Sequence, residues 1–256
     1  MKATFLGTGT SAGIPIIGCY CPVCASTDPR NRRRRTSLYL EAGGQHIVVD
    51  TPPDFREQAL EHRLPRVDAV CFTHSHADHI FGFDDIRRYN TIQDQVIPAY
   101  ASQDTLDDLQ RVFNYISTER VTGFYRPRIT FHAVSAPFRI GDVLVTPVEV
   151  EHGHNTILGY RFDAEGRSLG YAPDCSAMTD AAVEAFRGID VMILDALRLR
   201  PHLTHLTLED SIALLRRIEA EKSYIIHLCH DLDHEQTQAK LPATMHVSHD
   251  GLTLEW

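Results

Sequence analysis

His74-Ser75-His76-Ala77-Asp78-His79 follows the apolar run Val70-Cys71-Phe72 after a single residue and places four metal-competent side chains in six positions. Alternation along an extended segment sets His74 and His76 on one side, and a helical start at Asp78 turns Asp78 and His79 toward a second point in space. One ion cannot readily use all four groups, so the stretch reads as half of a two-metal hydrolase site. A solvated histidine-rich loop is the plain alternative. It does not explain why the cluster closes a buried strand and carries an acid inside it.

Working outward, short β-rich runs alternate with amphipathic stretches along all 256 residues, with no linker-like segment, which predicts one continuous α/β domain over 1–256. Expected strands include Ala3 to Leu6, Thr36 to Glu41, His46 to Asp50, Val67 to Phe72, Ile129 to Val134 and Val143 to Val150. Leu158 to Phe162, Ser168 to Ala172, Val191 to Leu194 and Tyr224 to Ile226 complete the set. Helices are expected over Asp104 to Tyr115, from Thr179 to near Gly188, and from an N-cap at Thr207. His152, Asp174 and His227 each fall at or just past a predicted strand end, where α/β sheets present their chemistry. With the His74 cluster they bring the count to seven ligands, enough for two metals sharing one carboxylate. His154 competes with His152, which is preferred because it ends the strand and precedes Gly153.

A formal net charge of -9 argues against sequence-independent grip on nucleic acid. Arg30 and Arg32 to Arg35 run against that balance and read as a solvated turn before a strand, with local phosphate contact as the other reading. No run of about 18 apolar residues suits a membrane span, and no export signal opens the chain, so a cytoplasmic location is expected. In that compartment six cysteines point to metal ligands or core residues rather than disulfides. Homodimerisation is expected only on general frequency.

Taken in order, the strand-end Asp50, the cluster His74 to His79, the lone His152, the lone Asp174 and the final His227 resemble the five motifs of the metallo-β-lactamase superfamily, across nearly the whole chain. That resemblance implies a four-layer αββα sandwich with its ligands on loops along one edge. It also implies that His74, His76 and His152 hold one metal, that Asp78, His79 and His227 hold the other, and that Asp174 bridges. Asp50 would orient a ligand without binding metal. Di-iron oxygen-reducing members carry a carboxylate where His76 stands here, so hydrolysis is favoured, with zinc or manganese the expected divalent pair.

Cys19-x-Cys21-x-x-Cys24 supplies three thiolates within six residues and fits a tetrahedral structural zinc short of one ligand. His230 is the expected fourth, with Cys229 the alternative. A similar opening with a late histidine, and the same Leu6-Gly-Thr-Gly9 turn, occurs in phosphodiesterases of the bacterial carbon-phosphorus lyase pathway. The glycine run from Gly7 to Gly13 lacks the lysine of a P-loop and reads as a tight turn.

Two divalent ions about 3.5 to 4 Å apart acidify a shared water and clamp phosphate oxygens, so Asp78 and Asp174 count as catalytic through the pair they would hold. His205, just before a helix whose N-terminus favours anions, is expected to serve the leaving group, with His202 a weaker rival. The resemblance implies a phosphodiesterase releasing a phosphomonoester from a small-molecule diester, a cyclic phosphoribose-like or nucleotide-like one included. Its pocket is expected from the stretch 81–125. A ribonuclease Z-like RNA endonuclease is the alternative, set back by the 21 residues between His152 and Asp174, too few for an RNA-gripping arm. A thioester or lactone hydrolase is a further one, set back by only 29 residues after His227. A decayed binding scaffold would lack ligands, and none is lacking.

Overall fold

The computed structural model describes residues 1–117 and 125–256. Six strands form the first run of sheet: β1 (Lys2–Gly7), β2 (Ser37–Ala42), β3 (Gln45–Val49), β4 (Ala69–Cys71), β5 (Ile97–Ala101) and β6 (Ile129–Ala133). The second run is β7 (Phe138–Ile140), β8 (Val143–His152), β9 (Asn155–Ala164), β10 (Arg167–Ala172), β11 (Val191–Asp195), β12 (Lys222–Ile226) and β13 (Met245–Val247), after which β14 (Thr253–Glu255) returns to the first sheet. The two sheets run β14-β1-β2-β3-β4-β5-β6 and β13-β12-β11-β10-β9-β8-β7.

Strand alternation explains why these sheets stack. In β3, Ile47 and Val49 join the apolar cluster between the sheets, with Phe5, Leu38, Tyr160, Phe162 and Ile193. Val48, between them, faces the opposite way, into a cluster with Phe55, Leu106 and Leu109. Those three belong to helices α1 (Phe55–Glu61) and α4 (Gln103–Val112); α2 (Ala77–Ile80) and α3 (Arg87–Gln93) lie between them in the chain. On the far side, Met192 and Leu194 of β11 pack with Phe186 and Leu215, which come from α5 (Asp180–Phe186) and α6 (Leu208–Ile218). The short α7 (His234–Gln238) completes the α-helices of the described residues. The result is the expected helix, sheet, sheet, helix layering.

Within each sheet a block of parallel strands, β3 to β6 and β10 to β13, directs its carboxyl ends to one edge. Asp50 follows β3, the His74 cluster follows β4, Asp174 follows β10 and His227 follows β12. Every candidate ligand of the expected pair other than His152 thus leaves a parallel strand at the same edge; His152 ends the long antiparallel β8 and is its last residue, not a residue beyond it. The described residues contain no helix long and apolar enough to cross a membrane.

Candidate metal centre

His74 is buried three residues past β4, and His76 caps α2 in extended backbone (φ -62°, ψ 150°), so His79 lies one helical turn on. The structure gathers ligand atoms of His74, His76 and His152 within 4.8 Å of one another, and separately those of Asp78, His79 and His227. Asp174 sits between the two triads. Its Oδ1 is 3.3 Å from His79 Nε2 and 3.3 Å from His227 Nδ1, and its Oδ2 is 3.8 Å from His74 Nε2. His154 is exposed and belongs to neither group.

The inward atoms are those a cation pair would need. His74 Nε2, His79 Nε2 and Asp174 Oδ1, which lie together, are all shielded from solvent without a hydrogen-bond partner among the described residues. Buried polar atoms normally find partners, so three orphans converging on one point mark a place where something else satisfies them. Burial holds His74 well below its ordinary range and lowers His152 and His227 to about 4, which keeps these imidazoles neutral and able to ligate. For His79 burial acts the same way, but Asp174, Asp50 and Asp78 outweigh it and raise the group. Nitrogen and carboxylate donors of this number fit divalent transition metals.

Asp50 accepts from Thr73 N at 2.9 Å, from Thr73 Oγ1 at 2.9 Å and from His79 Nδ1 at 2.8 Å, so it holds the His79 ring from behind. Asp50 and His227 both take left-handed backbone, at φ 62° and 61°, which non-glycine residues rarely adopt. Such strain persists only where neighbours fix it. For His227 the neighbour is the Gly7-Thr8-Gly9 turn: Leu228 N donates to Thr8 O at 3.0 Å and Thr10 N to Leu228 O at 3.1 Å. A Cβ on Gly7 would overlap Arg35 O, and one on Gly9 would lie 2.9 Å from Arg33 Cβ. The turn is therefore a packing device beside the site.

His205 Nδ1 lies 3.0 Å from Asp195 Oδ2, its ring stacks on His227 at 4.8 Å, and its Nε2 faces Asp174 Oδ2 at 3.9 Å. It also falls within ligand distance of His152 and Asp174. Burial lowers His205, the Asp195 carboxylate more than offsets this, and the net shift is upward; burial also pushes Asp195 up to about 7. Since Asp195 accepts main-chain N–H groups as well, the pair's proton rests on the imidazole. The expected helix dipole contribution is corrected by the structure. Glu209 and Asp210 occupy the first turn of α6, and a Thr207–Asp210 capping box closes its N-terminus, so no free anion site remains there. Asp195 was missed in the sequence although it, too, ends a parallel strand. His202 is exposed, with its Nδ1 engaged by Thr204.

His230 Nδ1 lies 3.2, 3.6 and 3.6 Å from the sulfurs of Cys19, Cys21 and Cys24. Those separations match the edges of about 3.5 Å that ordinary Zn–S and Zn–N bond lengths give a tetrahedron. Cys229 stands outside the group, accepting from Asp231 N. The arginine run departs from a solvated turn at Arg33, which is 1% exposed and donates to Thr8 Oγ1 and Ser248 O. Of the stretch expected to build the substrate pocket, Arg87, Arg88, Tyr89, Ile92 and Tyr125 line a cavity of about 580 Å³ against α1 that contains none of the candidate ligands. Positions 118–124 of that stretch lie outside the described residues.

Residues 45–228 match the family model described as the Beta-lactamase superfamily domain, and the chain belongs to that superfamily. Within it the chain is PhnP-like: a crystal structure described as a new diphosphatase from the PhnP family superposes with a TM-score of 0.91 at 41% identity, covering 100% of this chain and 97% of that one. Zn(2+)-bound PqqB from Methylobacterium extorquens shares the fold, with a TM-score of 0.82 at 21% identity over the full length of both chains. A curated relative from Porphyromonas gingivalis, described as an octanoyltransferase, is 32% identical over 98% of this chain and 51% of its own length. The chain thus spans about half the length of that relative. The fold and its candidate ligands are those of a metal-dependent hydrolase.

Proposed function

We propose that this protein is a dinuclear-metal phosphodiesterase that hydrolyses a small phosphodiester, cyclic ones included, to a phosphomonoester. The observation that supports it most is the convergence of two ligand triads on Asp174 with a hydrogen-bonded His205–Asp195 pair at their side. When bound, a pair of divalent zinc or manganese ions supplies Lewis-acid polarisation of phosphoryl oxygens and an activated water. Asp174 places carboxylate charge between the two triads, and Asp78 places it within the second. Asp195 fixes the His205 ring through Nδ1 and leaves Nε2 directed inward, where its proton can pass to the leaving alkoxide. The three thiolates and His230 would hold a structural zinc that ties the N-terminal loop to the turn after His227.

The diphosphatase description of the PhnP-family structure favours a second substrate, a phosphoric anhydride, for the same centre. An RNA endonuclease is disfavoured because β9 and β10 use most of the chain between His152 and Asp174, with no span left for an RNA-binding arm. Acyl transfer through a thiol also lacks support. Cys175 beside Asp174 is buried, its Sγ donates to Ala177 O, and burial raises it far from the thiolate form.

The test is turnover of bis(p-nitrophenyl) phosphate, a five-membered cyclic phosphate, a diphosphate ester, a thioester and a lactone by protein loaded with zinc or manganese. Preferred hydrolysis of the phosphorus substrates supports the reading, and preference for either carbonyl substrate overturns it.

A further inference from the structure

One hydroxyl stands between the two triads. Thr73 Oγ1 is 2.9 Å from Asp50 Oδ2 and 3.0 Å from His74 Nδ1, while the same Asp50 Oδ2 is 2.8 Å from His79 Nδ1. All four residues are buried, with Asp50, Thr73 and His79 fully so. Protons in this chain can be counted. A hydroxyl has one hydrogen, and the carboxylate oxygen, an acceptor only, takes it. Toward His74 the threonine oxygen is then an acceptor, so the imidazole hydrogen must sit on His74 Nδ1. By the same reasoning Asp50 accepts from His79 Nδ1. His74 is thereby left with a bare Nε2, buried and unpartnered at the centre, while His79 turns its Nε2 to the same point, 3.3 Å from Asp174 Oδ1.

We infer that Thr73 is a positioning residue that sets the tautomer of His74, and that through it the single carboxylate of Asp50 presets one ligand histidine in each triad before any metal arrives. Hydrogen bonds from the second nitrogen of a ligand histidine fix its ring and its basicity. The arrangement here differs in that the reach of one acid is extended to a second ring by an intervening hydroxyl. Thr73 N also donates to Asp50 Oδ1 at 2.9 Å, so the carboxylate is gripped at both oxygens and cannot turn away from the relay. This inference rests on the reading of the triads as metal-holding, but the tautomer itself requires neither metal nor substrate.

The experiment uses the full chain labelled with 15N-histidine. In the metal-free protein, long-range 1H–15N correlations are expected to show His74 and His79 both protonated at Nδ1. Thr73→Val removes the hydroxyl at nearly constant volume; His74 then shifts toward the Nε2-protonated form while His79 keeps its hydrogen on Nδ1. Zinc titration of Thr73→Val should show one of the two active-site ions weakened about 10- to 100-fold and the other little changed, with Thr73→Ser restoring both. An Nε2-protonated His74 in the unmodified metal-free chain overturns the inference whatever the variants do. Unchanged tautomer and zinc affinity in a folded Thr73→Val overturns it as well. Failure of every phosphorus substrate would defeat the proposed activity and leave these readouts standing.

Discussion

Asp195 Oδ2 receives three donors at once: His205 Nδ1 at 3.0 Å, Cys175 N at 3.1 Å and Leu206 N at 3.1 Å. The carboxylate is thereby fixed to the loops that carry Asp174 and His205, and the imidazole has one orientation open to it. In this geometry Nδ1 is taken by the acid behind it and Nε2 faces Asp174 Oδ2 at 3.9 Å.

The His205→Ala variant should therefore lose about 10²- to 10⁴-fold in turnover on an alkyl or cyclic diester, whose leaving alkoxide needs a proton. The loss should be much smaller with a p-nitrophenyl leaving group, and two active-site ions per chain should remain. Steady-state rates on both substrates with metal analysis of the same samples check this. Loss of an ion would instead make His205 a ligand, which its distance to His152 and Asp174 also permits.

Cys21→Ala breaks the thiolate group without touching the dinuclear ligands. Total metal should fall from three ions per chain to two. Because the site joins residues 19–24 to His230, thermal stability should fall too, at about 2 to 4 °C for each kcal/mol lost in a chain of this size. Metal content by emission spectrometry and a melting curve decide the matter.

Stability should also decline in mild acid through His234. Burial, then the Arg33 and Arg30 guanidiniums, lower this imidazole to about 4, and its Nδ1 faces Arg33 Nη2 at 3.4 Å. The unfolded chain takes up the proton near pH 6.5 and the folded chain only near 4, so the contribution is complete above about 6.5 and disappears as pH falls toward 4. Denaturant melts across that window should show a shallower slope for His234→Gln, whose amide oxygen can still accept from Arg33.

Gly7→Ala puts a methyl group against Arg35 O in the turn that supports His227. We expect a loss of about 1 to 3 kcal/mol, the usual range for overpacking, measured as a lower urea midpoint.

Much of this was legible in the chain because the site follows two simple rules. Ligands cluster where apolar runs end, and a run such as Val191 to Leu194, buried on both faces, needs no structural template to be read as a central strand. The remaining elements carry weaker signals. β5 contains Pro98, which argues against a strand paired on both sides, and β13 and β14 are three residues long, too short for periodicity. Arg33 could not be told from its solvated neighbours, because its burial depends on Ser248 and His234, some 200 residues away. Thr73 carries no signal of its own in the sequence, and only the fold brings Asp50, 23 residues away, to its hydroxyl. Asp195 also satisfies the strand-end rule, but no histidine stands beside it in sequence to mark it.

Anomalous difference maps from crystals of zinc-loaded protein test the central claim most directly. Two peaks about 3.5 to 4 Å apart are predicted, one against His74, His76 and His152, the other against Asp78, His79 and His227, with Asp174 touching both. A single peak in this centre, or a pair that leaves either triad unused, would contradict the account.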